Sequence, residues 1–164
     1  MVQFMDNAEP PAVPAASAAS GRTPWHLWVV GVISLLWNLV GATDYTMSQL
    51  RNPTWMEAGA EQMGVTASQM IAYIDGFPVW MHGFWALGVW GAVAGSVLLL
   101  MRSRLAVWSF GASLLGLAAT QFYRALAPQP EWARGDVAFN LVLWSIATFL
   151  LIYAVSMRNK GVIR

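Results

Sequence analysis

The sequence contains no cysteine, which excludes disulfides, thiolate metal sites and cysteine nucleophiles. Charge is also scarce: Asp, Glu, Lys and Arg make up 10% of the chain, against about 25% in an average soluble protein. A net charge of +1 without a clustered basic face excludes a nucleic-acid surface. The two histidines, His26 and His82, fall at opposite depths of different apolar segments and cannot ligate one haem iron. No Gly-rich loop follows a strand to cradle a phosphate. No apolar segment holds paired carboxylates, and no Ser, His and Asp make a readable nucleophile set. Met47, Met56, Met63, Met70 and Met81 are too widely spaced for a copper site and read as flexible apolar contacts. The chain is therefore expected to be no enzyme, and to use no cofactor and no metal.

What is present points to a bilayer. Hydrophobic residues make up 57% of the 164 residues, and ten of them are Trp, whose amphipathic rings settle at the headgroup level. A spanning helix needs about 20 apolar residues, since it rises about 1.5 Å per residue through about 30 Å of hydrocarbon. Four segments qualify: 25–48, 77–101, 105–123 and 137–157. None shows a polar face wide enough for a soluble amphipathic helix. The expected fold is all-α, a polytopic four-helix membrane bundle. Residues 1–24 precede it and are rich in Ala, Pro, Ser and Gly. Their start holds Asp6 and Glu9 with no basic group or apolar run, unlike a signal peptide. They are expected to form a disordered cytoplasmic tail, and 158–164 are expected to form a short cytoplasmic tail.

Orientation follows from the basic residues. Arg22, Arg102, Arg104, Arg158, Lys160 and Arg164 fall on one side, and Arg51, Arg124 and Arg134 on the other. The positive-inside rule puts the first side, with both termini, in the cytoplasm. Localisation to a bacterial inner membrane is the matching expectation.

The loop 49–76 is the sizeable extracytoplasmic element. Asn52 before Pro53 predicts a helix start, and Gly64 a left-handed stop. Thr66-Ala67-Ser68-Gln69 has the spacing of a capping box that opens a second short helix. Trp55, Met56, Met63, Met70 and Tyr73 are expected against the outer headgroups, with Glu57 and Glu61 facing water.

Helices in lipid associate through small residues that let backbones approach. The second span offers Gly88, Gly91 and Gly95, and the third offers Ala112, Gly116 and Thr120 at spacing four. The short turn at Arg102 makes these two spans antiparallel neighbours. In the first span Gly31, Ser34, Asn38, Gly41, Tyr45 and Ser48 recur at steps of three and four, forming one small, polar face. Asn38 lies about 20 Å along the axis from Trp25. An amide at that depth needs a partner, because an unpaired one costs roughly 1–3 kcal/mol. Either an interhelical bond or a bound solute would supply it. Asp44, His82, Arg124 and Asn140 fall at similar depth near the outer face. An Asp44–Arg124 pair with His82 and Asn140 beside it is the expected polar cluster.

The run Leu36-Trp37-Asn38 with Asp44-Tyr45 resembles a small uncharacterised bacterial family of four-span membrane proteins. Phe77-Pro-Val-Trp80 and Trp85-Ala-Leu-Gly-Val-Trp-Gly91 extend the likeness, which covers about residues 25–157. Some members carry a "sugar transporter" label. The resemblance implies the same four-span fold.

Two functions compete on these grounds. The first is a small accessory or structural protein that binds lipid, further copies of itself or another membrane protein. The alternative is a transporter of small solutes, sugars included, that works as an oligomer.

Overall fold

The computed structural model describes residues 23–164. The expected tail at 1–24 lies outside the described residues except for its last two, and Arg22 lies outside with it.

Four long apolar helices carry the fold: α1 (Trp25–Gln49), α4 (Val79–Leu100), α5 (Leu105–Leu126) and α6 (Val137–Asn159). In hydrocarbon each must satisfy its own backbone groups, which is why the spans are helices. Between α1 and α4 the chain makes two short helices, α2 (Pro53–Gln62) and α3 (Ala67–Asp75). The protein is thus an all-α, multi-pass membrane protein with a helical loop between its first two spans. α4 lies between α1 and α5, and α6 packs on α5. Both α1 and the 160–164 segment reach one end of this row, called here the terminal end. The opposite end, with α2 and α3, is the loop end.

The expected start and stop signals of the loop are realised. Asn52 accepts the Trp55 N–H at 3.1 Å, and Thr66 and Gln69 close a reciprocal capping box. Asp136 caps α6 by accepting the Ala138 N–H at 2.9 Å. Met56, expected at the headgroups, is instead fully buried, as are Ala60 and Ile74. The two short helices pack on each other and α2 also meets α1, while Trp55 and Met63 stay exposed.

Helices α1, α2, α4 and α6 end alike, in a left-handed residue followed by a bond back to the fifth residue upstream. These bonds are Asn52 N–H to Met47 O, Val65 to Ala60, Ser103 to Leu98 and Val162 to Met157, at 2.8–3.1 Å. Gly64 and Gly161 take the left-handed place in two of them, but Arg51 (φ 51°) and Arg102 (φ 58°) take it in the others. A side chain there costs about 1–2 kcal/mol. Each arginine offsets part of that by bonding a carbonyl: Arg51 that of Ser48, Arg102 that of Val162 at 3.3 Å.

α4 and α5 meet at backbone range. A Cβ on Gly91 would lie 3.2 Å from Ser113 N, and one on Gly116 would lie 2.6 Å from Phe84 O. Gly95 receives the Phe110 ring, and a Cβ on Gly88 would lie 3.3 Å from Leu117 N. The row on α5 runs through Ser109, Ser113 and Gly116, not through the expected Ala112 and Thr120. Ser109 donates to Gly91 O at 2.8 Å, and Ser113 to Gly88 O at 2.5 Å. On α1, Gly31 packs on Leu100 as a small residue should. Gly41 does not: it is exposed and a Cβ there would touch nothing within 4 Å. Ala42, one helical step round at the centre of the face, is buried in its place.

Residues 158–164, expected as a tail, are built into the bundle. Ile163 is 2% exposed and joins Leu27, Leu99, Ala106, Phe110, Leu150 and Met157 in one core cluster. The Arg164 N–H donates to Arg102 O at 2.8 Å, and the Arg104 N–H donates to Arg164 O at 3.0 Å. Gly161 makes the reversal possible, and the apolar pair Val162-Ile163 gives it something to bury.

Candidate functional site

Asn38 is the deepest of the expected polar positions, and its partners lie on α4. Its Nδ2 donates to Ser96 Oγ at 3.0 Å and to Ala92 O at 3.3 Å. Ser96 is fully buried and donates in turn to Ala92 O at 3.0 Å. The interhelical bond expected of Asn38 is formed. It locks the register of α1 on α4. Tyr45, two turns on, stands edge-to-face against Trp85 of α4, with centroids 5.1 Å apart at 79°.

The expected cluster of Asp44, His82, Arg124 and Asn140 resolves into two separate groups at the loop end. Asp44 and Arg124 do not pair with each other. The Asp44 carboxylate accepts the Trp55 indole N–H at 3.1 Å, and the Arg124 guanidinium donates to Ala133 O at 2.6 Å. The physical reason is lateral: α4 stands between the helices that carry them. Equal depth says nothing about neighbours around a bundle.

The first group belongs to α1, α3 and α4. His82, half-buried, shares a hydrogen bond of 3.0 Å between its Nδ1 and Gln49 Nε2. Arg51 forms an ion pair with Asp75, the one such pair among the described residues, tying the end of α1 to the end of α3. The left-handed backbone at Arg51 turns the chain into α2 at that point.

The second group belongs to α5, α6 and their connection. Gln121 donates to Asn140 Oδ1 at 2.6 Å. Gly135 sits between Asn140 and Arg124: a Cβ there would lie 3.2 Å from Asn140 Nδ2 and 3.6 Å from Arg124 Nη2. So Arg124 and Asn140 are brought together as expected, while Asp44 and His82 are held elsewhere. The Tyr73 hydroxyl donates to Gln129 Oε1, joining α3 to this side. Burial pushes the Tyr73 phenol above its ordinary range, against the opposing pull of the nearby Arg124 charge.

Aromatic rings link the two groups. Phe77 lies 4.8 Å from Tyr73, 5.9 Å from His82 and 6.1 Å from Tyr123, centroid to centroid. Trp132 and Trp80 extend the cluster through Tyr73 and Tyr123. Tyr73, Phe77, Tyr123 and Gln129 line a cleft of about 250 Å³ that opens at the loop end. Its lining offers ring faces, two phenols and one amide, which suits a small neutral polar molecule better than an ion. Among the described residues no three His, Asp or Glu side chains gather as a metal site.

Gln49, Arg51, Asp75, Ser96, Gln121 and Gln129 are partners that sequence reasoning missed. Their one signal is position, since each lies within a turn of a helix end or one helix away from an expected polar residue. At the terminal end, His26 Nδ1 and the Tyr153 hydroxyl share a bond of 2.5 Å that ties α1 to α6. No family model, curated protein or solved structure matches this chain.

Proposed function

We propose that this is a small accessory protein of a bacterial inner membrane, with both termini in the cytoplasm, that acts by binding another membrane protein or a second copy of itself. The observation that carries this reading is where the polar groups inside the bundle are used. Asn38, Ser96, Ser109 and Ser113 all bond to neighbouring helices. Together with Gly88, Gly91 and Gly116 they draw α1, α4 and α5 into contact along the middle of the membrane. A carrier needs such groups available to a passing solute; here they hold helices together. α6 offers the lateral surface for a partner, since 11% of its apolar window is buried against 22–28% in the other spans.

Orientation is supported by Arg102, Arg104, Arg158, Lys160 and Arg164 at the terminal end. The Leu36-Trp37-Asn38 element, on which the likeness to a four-span bacterial family rests, contains the residue that locks α1 to α4. A second reading, an oligomeric carrier of small solutes such as sugars, draws on the cleft at Tyr73, Phe77, Tyr123 and Gln129.

Purified protein in liposomes distinguishes the two. The accessory reading expects no sugar flux above protein-free vesicles, together with recovery of one fixed protein, or a second copy, after cross-linking from α6. Saturable flux that is lost in Asn38→Leu would replace it with the carrier reading.

A further inference from the structure

Every acidic side chain among the described residues lies at the loop end: Asp44, Glu57, Glu61, Asp75, Glu131 and Asp136. The terminal end holds five cations, Arg102, Arg104, Arg158, Lys160 and Arg164, and no side-chain carboxylate among the described residues. Segregation of this kind is enough to orient a chain, and by itself marks no site. The fold adds a second feature.

Residues 160–164 do not trail into water. The left-handed Gly161 turns the chain back, and Ile163 enters the apolar cluster beside Leu27, Leu99 and Ala106. Two backbone bonds then hold Arg164 between Arg102 and Arg104, and the Arg102 Nε–H is fixed on Val162 O. As a result Arg104 and Arg164 stand level with the first turn of α5, and Arg158 and Lys160 with the last turn of α6. All four of these side chains are exposed. None of the five cations has a carboxylate partner among the described residues. At the ends of spanning helices the anion within reach is the phosphate of a lipid headgroup, and basic residues at that depth are attracted to an anionic leaflet.

We propose that the terminal end is a binding surface for anionic phospholipid headgroups, and that the folded-back segment 160–164 completes it. The ligand is lipid phosphate held in the bilayer, not phosphate free in solution. Arg104, Arg158, Lys160 and Arg164 supply charge to the headgroups. Arg102 has a different role, holding the segment in place through its bond to Val162.

The test uses the full chain in phosphatidylcholine vesicles containing spin-labelled phosphatidylglycerol or spin-labelled phosphatidylcholine, comparing the fraction of each immobilised by the protein. The wild-type chain is expected to prefer the anionic lipid, and to lose that preference progressively as salt is raised. The combined Arg104→Gln, Arg158→Gln, Lys160→Gln and Arg164→Gln variant is expected to lose it in low salt as well, by up to roughly fivefold per cation removed. A variant with Arg104→Lys, Arg158→Lys and Arg164→Lys carries the same number of changed arginines but keeps the charge, and should keep the preference. Removal of residues 162–164 should weaken it even though one cation alone is lost. Equal immobilisation of the two lipids by the wild-type chain would overturn the proposal. So would a glutamine variant that retains full preference, or displacement of the lipid by inorganic phosphate at matched ionic strength.

Discussion

The two ends of the bundle are built on different principles. The terminal end is closed by apolar packing, with Leu27, Leu99, Ala106 and Ile163 buried together and a segment of backbone hydrogen-bonded across the α4–α5 turn. The loop end also buries Met56, Ala60 and Ile74, but its helices are tied together by side-chain polar contacts: Arg51 with Asp75, Gln49 with His82, Gln121 with Asn140, and Tyr73 with Gln129. Between them runs the glycine seam of α4 and α5. Apolar plugs tolerate little, because each lost atom leaves a void. The exposed pair among these, Arg51 with Asp75, exchanges readily with water and contributes little. The difference implies a rigid terminal end and a loop end able to rearrange.

Substitution can break or sharpen that contrast. The largest effect is expected at the seam that both ends depend on. Gly116→Leu would drive a side chain into the backbone of Gly88 and Phe84, and α4 and α5 should no longer pair. Loss of the folded monomer in detergent chromatography would register this. Gly111→Leu, where a Cβ meets open space, should elute as wild type.

Next comes the plug. Ile163→Ala should cost about 2–4 kcal/mol, read as a lowered midpoint in thermal unfolding, despite its place one residue from the chain end. In the middle of the membrane, Asn38→Leu removes its bonds to Ser96 and Ala92. About 1 kcal/mol is the expected cost, in line with interhelical polar contacts elsewhere. Loss of resistance to denaturant would measure it. Asp75→Asn should have the smallest effect, below about 1 kcal/mol, since the carboxylate is 57% exposed. Salt should mask even that. If Asp75→Asn proved as damaging as Ile163→Ala, the contrast between the ends would be wrong.

Much of the fold was legible because its signals are local. The spans follow from runs of apolar residues, and Asn52, Thr66 and Gly64 announce their caps by residue type alone. Gly161 followed by Val162-Ile163 carries the same kind of signal. Proximity to a chain end argues for a tail there, yet a left-handed glycine beside two apolar residues folds the segment back. The left-handed Arg51 and Arg102 were not legible, because nothing in the type of residue favours arginine there. The polar groups were legible in depth but not in partnership. Helical rise puts Asp44 and Arg124 at one level, while only packing decides that α4 stands between them. Gly41 failed for a related reason: a stripe has a width, and the crossing of α4 chose Ala42.

We propose that the four spans hold the terminal end, cationic among the described residues, inside the cell and the acid-bearing loops outside it. The chain has no native cysteine, so single cysteines report without background. Glu57→Cys and Lys160→Cys can each be treated with a membrane-impermeant maleimide in intact cells and again after permeabilisation. Glu57→Cys should react in both, and Lys160→Cys after permeabilisation alone. Reaction of Lys160→Cys in intact cells would contradict the account.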